Sequence, residues 1–217
     1  MPDIFDEVDE DLRADRARAL LKRYGGALVA AAVLVVAAAG AWRAWQWYDA
    51  RQVAAIADIY LAAMQTADTQ KGPGRVAAAA QFAQVAADGR SGYRALAQLR
   101  EAGLKADAGD LAGASALWDR VAGDGAADPL LRDLASLQWA MHNVDSAEPA
   151  TVAARLAPLT AATGPFHALA EETQAMLDLR QGKITAARTT LAGLAQDVTA
   201  PPGVRRRAQG LLARIGS

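Results

Sequence analysis

The side chains most often recruited for catalysis are few in this chain, and their spacing assembles no reaction centre. There is no cysteine, which excludes disulfides, thiol catalysis and cysteine-based metal sites. The two histidines, His142 and His167, have no HxxxH or HExxH partner to place a second imidazole on the same metal. Ser91, Ser115, Ser136, Ser146 and Ser217 lack a strand–turn–helix elbow, and neither a P-loop nor a Gly-rich dinucleotide turn is present. The adjacent acids Glu171 and Glu172 would point about 100° apart on a helix, so they read as solvated surface rather than as an acid–base pair. The expectation is a non-enzymatic protein with no catalytic, cofactor or metal residues.

What the spacing does offer is a binding surface. Arg94, Gln98, Glu101 and Lys105 share one helical face by their 4-3-4 spacing. His167, Glu171, Gln174 and Asp178 repeat it 73 residues later, and Arg132, Ser136, Trp139 and Asn143 fall between. Stacked, these stripes would give a mixed-charge surface with Trp139 near its centre, the form of many protein-partner sites. The competing reading makes the stripe ordinary solvent face and turns Trp139 into the core beside Leu131 and Leu134. The candidate partner-binding residues are therefore Arg94, Gln98, Glu101, Arg132, Trp139, His167, Glu171 and Gln174.

Only regularly stacked helices could align such stripes. Alanine dominates the chain after residue 42, and runs of β-branched or aromatic residues are scarce, which favours helix throughout. Residues 93–122 match 166–195: Tyr93 with Phe166, Leu96 with Leu169, Gly109 with Gly182, Ala114 with Ala187, Trp118 with Leu191 and Val121 with Leu194. Two units of about 36 residues fit the offset, close to the tetratricopeptide length. A middle unit aligns through Leu131, Leu134 and Ala140, with a longer loop at Asn143–Pro149 that lacks the glycine. Units are expected over 91–127, 128–163 and 165–199, preceded by a helix pair over 51–87 and followed by a closing helix over 203–214. Gly109 and Gly182 should end first helices, where a left-handed residue is wanted. Ala114 and Ala187 should let the second helix close on the first.

Ahead of the repeats, Gly25 to Trp42 reads GGALVAAAVLVVAAAGAW, without a charge. As a helix these 18 residues are roughly 27 Å long, close to the hydrocarbon thickness of a bilayer. Tyr24 at one end and Trp42, Trp45, Trp47 and Tyr48 at the other are suited to the headgroup layer. Arg13, Arg16, Arg18, Lys22 and Arg23 precede the stretch, whereas only Arg43 and Arg51 closely follow it, so the N-terminus should stay in the cytoplasm. A cleaved signal sequence is the rival, with Ala39-Gly40-Ala41 as its cleavage pattern, against a long, acid-rich leading segment and an overlong apolar run. The domains expected are a cytoplasmic amphipathic segment at 1–23, a transmembrane helix with its aromatic flank at 24–48, and a periplasmic helical-repeat domain at 49–217. Ile4, Phe5, Val8 and Leu12 give the leading segment an apolar face, either to dock a partner or as part of a solvated lead-in that sets topology. Net charge is −1, which gives no general attraction to nucleic acid. The fold class expected is all-α: one transmembrane helix followed by a TPR-like α-solenoid of antiparallel helix pairs.

Gly109-Asp110-Leu111-Ala112-Gly113-Ala114 followed by Trp118 resembles the centre of a tetratricopeptide repeat, and Gly182-Lys183-Ile184-Thr185-Ala186-Ala187 with Leu191 resembles it more weakly. The large apolar positions of the family's first helix fall here on Gln98, Glu101 and Lys105. The whole arrangement, IFDEVDEDLRADRARALLKRYG before one span, WRAWQWY after it and weak repeats beyond, resembles an alphaproteobacterial member of the YfgM-like family of membrane-anchored tetratricopeptide-like proteins. That resemblance implies an ancillary subunit of the SecYEG translocon, working beside membrane-anchored periplasmic chaperones on emerging polypeptides. It brings no catalytic residues and no cofactor. The alternative is an envelope scaffold or regulator outside the Sec pathway. Self-association stays open.

Overall fold

The computed structural model describes residues 4–89 and 91–216. The side chains of residues 4–21, Leu28 and Ser91 lie outside the described residues, and with them the apolar face expected on the leading segment. Among the described residues the chain is all-α. Its helices are α1 (Ile4–Thr69), α2 (Pro73–Asp88), α3 (Ser91–Asp107), α4 (Leu111–Ala122), α5 (Pro129–Asn143), α6 (Pro149–Leu156), α7 (His167–Arg180), α8 (Ile184–Gln196) and α9 (Pro202–Ile215), with a 3₁₀ turn at Ala157–Thr160 after α6. The chain divides into two compact units, Met1–Ala54 and Ala55–Ser217.

The first unit is the leading part of α1. Its apolar stretch is long and apolar enough to cross a membrane, and none of that stretch is buried by protein. Val33, Leu34, Val35 and Val36 are all exposed, an arrangement that water penalises at about 25 cal/mol per Å² of apolar surface. At its end the Trp42 and Trp45 rings meet edge to face at 5.9 Å, and the Arg51 guanidinium lies 4.0 Å from the Trp47 ring centre.

The second unit is a stack of antiparallel helices, each packed on the next in sequence from α2 to α5 and from α5 through α6, α7 and α8 to α9. The first helices of successive pairs also touch, α3 on α5, α5 on α7 and α7 on α9. This is a TPR-like solenoid, in which each pair buries its apolar face against its neighbours. Sequence sets the ends of the elements. Gly72 (φ 55°) and Pro73 open α2, and Gly109 and Gly182, at φ 88° and 74°, close α3 and α7 in the left-handed region that an L side chain enters only at a cost. Asp110 then caps α4 by accepting from the Gly113 N–H at 2.9 Å. The middle pair turns without such a glycine, because Glu148 caps α6 by accepting from the Thr151 N–H. Pro158 supplies no N–H to continue α6, which gives way to the 3₁₀ turn.

Among the described residues the core interleaves alanines with valine, leucine, phenylalanine and tryptophan side chains. Trp118, Val121 and Ala114 of α4 are fully buried with Ala102 of α3 and Ala140 of α5, and Leu156 and Val152 extend the cluster. Leu191, Leu194 and Ala187 of α8 form a second cluster with Val204 and Ala208 of α9. Ala63 of α1, Phe82 and Val85 form a third, over which the Tyr60 ring meets Phe82 at 5.4 Å and Tyr93 at 5.8 Å. Trp118 and Leu191, equivalent at offset 73, are both fully buried, as are Ala114 and Ala187.

Candidate interaction surface

The polar stripe expected to carry a partner is not one exposed face. Gln98 is only 6 % exposed and Trp139 only 8 %. The Trp139 ring lies in the central core cluster, and the Arg155 guanidinium of α6 sits 3.9 Å from its centre. Arg155 is held there by Asp119 of α4 at 2.5 Å. Trp139 is therefore a packed and capped side chain, not a displayed anchor. Asn143 is buried as well, with its amide donating to Ser115 Oγ at 3.0 Å and to the Trp139 carbonyl at 2.9 Å. Arg94 is exposed and donates to the Gly89 carbonyl, while Arg132, Glu171 and Gln174 are half-buried. His167 is also half-buried, with Nδ1 2.9 Å from the Thr160 carbonyl and Nε2 3.5 Å from Glu171. The physical reason is rotational phase: part of this stripe, at Gln98, Trp139, Asn143 and Asp178, turns into the seams between helices, while Arg94 stays exposed.

The adjacent acids also differ from the solvated pair expected. Glu171 faces His167, whereas Glu172 is buried and accepts two hydrogen bonds from Arg207 of α9, from Nε at 2.7 Å and Nη2 at 2.6 Å. The bidentate geometry fixes α9 across α7. His142 is exposed and stacks on the Trp118 ring, centroids 4.9 Å apart, while Trp118 Nε1 donates to Gln138 Oε1 at 2.8 Å. Among the described residues no three His, Cys, Asp or Glu side chains gather where a metal could sit.

The accessible face lies at a neighbouring phase, along Arg100 and Gly103 of α3, Gln138 and Met141 of α5, and Met176 of α7. It opens as two grooves. One, of about 410 Å³, is lined by Tyr60, Leu96, Arg100, Gly103, Leu134 and Gln138 among others. The other, of about 500 Å³, lies between α5, α7 and α9 and is lined by Met141, Glu172, Thr173, Met176, Arg207, Gly210, Leu211 and Arg214. Gly103, Met141, Met176 and Gly210 occupy equivalent places on successive first helices, and an added Cβ at either glycine would meet nothing. Glu101 and Lys105 line a third groove, of about 510 Å³, against the alanines of α2. The arrangement can hold an apolar-faced polypeptide by contact and charge.

Three carboxylates that anchor chain turns are held below the usual range: Asp110 by the Gly113 N–H, Glu148 by the Thr151 N–H, and Asp197 by the Thr199 hydroxyl. Their stabilisation is present above the unfolded value near pH 4 and is lost as pH falls through their lowered folded values. Burial pushes Glu101 the other way, against Lys105 and Arg120, so its contribution rises as pH drops through its raised value. The melting temperature of the repeat domain should therefore fall as pH drops below about 4. Thermal melts by circular dichroism from pH 8 to pH 3 check this. A flat profile down to pH 3 would refute it.

Comparison with curated proteins and with solved structures finds no match. A family profile described as a tetratricopeptide repeat-like domain matches residues 18–199, from ahead of the apolar stretch to beyond α8. With its stacked helix pairs, its apolar leading helix and that match over most of its length, the chain belongs to the tetratricopeptide repeat-like domain family, a protein-interaction fold.

Proposed function

We propose that the chain is a single-pass inner-membrane scaffold, with a cytoplasmic N-terminus and a periplasmic interaction domain, that serves as an ancillary subunit of the SecYEG translocon and assists handover of emerging polypeptides to membrane-anchored chaperones. The observation that carries the anchor is the run of uncovered apolar side chains at Val29 to Val36, which the core of the repeat domain does not include. The aromatic side chains at Trp42, Trp45, Trp47 and Tyr48 are exposed where a headgroup layer would lie. The lysine and arginine excess before the stretch sets the orientation. The Sec assignment rests on the resemblance of residues 4–48 together with the family match. The working surface we propose is the first-helix face, with Arg94, Glu101, Arg132, His167, Glu171 and Gln174 as its candidate contacts and the buried Gln98 and Trp139 behind them. Anchoring raises the effective concentration of that face for other membrane-bound partners.

In vivo photocrosslinking tests this reading, with probes at Arg94, Arg100, Met141 and Glu171 and controls at the exposed second-helix residues Ala116 and Thr189. Capture of SecY or a periplasmic chaperone from the first-helix positions alone is the expected result. Capture of an unrelated envelope complex would keep the scaffold and remove the Sec role.

A further inference from the structure

We propose that Met141 and Met176 form a reversible oxidation site, at which a hydroperoxide turns the lining of the groove between α5, α7 and α9 from apolar to polar. The oxidation is independent of the protein-interaction reading above. Its consequence for a bound partner rests on that reading.

Three observations carry it. The first is where the sulfur lies. The chain has no cysteine, so methionine thioethers are its only sulfur. Among the described residues these are Met64, Met141 and Met176. Met64 packs against the core cluster of Phe82 and Val85. Met141 and Met176 are 41 % and 36 % exposed and belong to none of the core clusters. Exposure is what admits an oxidant to a thioether.

The second observation is that the two stand together. They are 35 residues apart in sequence, one on α5 and one on α7, and they line one groove with Leu211. The third is room. The groove holds about 500 Å³, and a Cβ added at Gly210 in the same lining would meet nothing within 4 Å. Each sulfur can therefore take on an oxygen without displacing the core.

The step balances with a hydroperoxide as the oxygen donor. A sulfur lone pair attacks the terminal peroxide oxygen, so that the S–O bond forms as the O–O bond breaks. With hydrogen peroxide, the departing hydroxide takes the proton of the transferred oxygen and leaves as water. Sulfur gives up two electrons, and the peroxide is reduced by two. The product is a sulfoxide, polar and chiral where the thioether was apolar and pliant. Two such groups beside Leu211 remove much of the groove's apolar lining, while the Glu172–Arg207 pair stays as it was. A partner held there by apolar side chains is released on oxidation and regained on reduction.

The test treats the full chain in nanodiscs with hydrogen peroxide and maps its peptides by mass. Met141 and Met176 should each gain one oxygen at least about tenfold faster than Met64. The thermal melt should fall by less than about 3 °C, because neither side chain belongs to the core. The two stereospecific methionine sulfoxide reductases should restore both thioethers. A smaller ratio of rates, a larger fall in the melt, or sulfoxides that the reductases leave in place each overturn the proposal. In cells, a photocrosslinking probe at Gly210 should capture a partner that peroxide treatment releases. Met141→Leu combined with Met176→Leu should keep that capture under peroxide, since leucine nearly conserves the volume and takes no oxygen. Capture unmoved by peroxide, or lost equally in the leucine variant, overturns the switch. So does silence at Gly210, and if Arg94 and Glu171 still capture a partner, the scaffold reading stands while the switch falls.

Discussion

Trp118→Ala is expected to destabilise the repeat domain by about 3–5 kcal/mol. The indole is fully buried in the largest core cluster, between α3, α5 and the rest of α4. The cluster includes Ala102, Ala114, Ala135 and Ala140, which have no side-chain freedom with which to close the space. The substitution also removes the donor to Gln138 and the surface on which His142 stacks. Domains of this size are stable by about 5–15 kcal/mol in all, so the loss is a large share of the total. It falls, moreover, on one joint of a linear stack. A solenoid is held by nearest-neighbour interfaces, so α4–α5 should fail before the α7–α9 end, whose cluster around Leu191 and Val204 does not include Trp118. The expected result in circular-dichroism melts is a first transition lowered by about 10 °C or more, separated from a second near the original temperature. Trp118→Phe should keep most of the stability while losing the hydrogen bond. A single cooperative transition moved by only a few degrees would show that the stack is tied together elsewhere.

Much of this architecture was legible because its signals are local or periodic. The apolar run stands out by hydropathy. Gly109 and Gly182 mark reversals because only glycine takes those angles cheaply, and the Ala114–Ala187 and Trp118–Leu191 equivalences follow from packing that repeats. The accessible face was misplaced by its phase. Spacing shows that Arg94, Gln98, Glu101 and Lys105 share a side of α3, but it does not say whether that side meets water or a neighbouring helix. In an alanine-rich stack the seams are close, and polar side chains there can pair, as Asn143 does with Ser115 and Gln174 with Asp178. The groove face, by contrast, is marked by Gly103, Met141, Met176 and Gly210, residues that carry no charge pattern to align. Glu172 looked solvated because its partner, Arg207, lies 35 positions away on a closing helix with no repeat to match it. The one sequence clue to the groove was the pair of methionines at equivalent first-helix positions.

Val33→Asp combined with Val36→Asp is expected to release the chain from the membrane. The argument is one of signs. Each of the six valines and leucines between Gly25 and Trp42 favours insertion by about 0.3–0.6 kcal/mol, roughly 2–4 kcal/mol together, and the intervening alanines add little. One aspartate near the centre costs about 2.5–3.5 kcal/mol, which brings insertion close to balance, while two cost about 5–7 kcal/mol and reverse it. Both valines are exposed and belong to none of the core clusters, so the repeat domain, with its separate core, should melt as before. Fractionation with alkaline carbonate should find the parent chain in the membrane, the single variants divided, and the double variant in the supernatant. The intact mass of the parent decides between an anchor and a signal sequence. Retention of the residues ahead of Ala41 requires the aromatic cluster at Trp42 to Tyr48 to act as the outer end of a span. A product beginning at Trp42 would instead leave those rings at the start of a released domain, and would take with it the effective-concentration argument on which a membrane-bound scaffold depends.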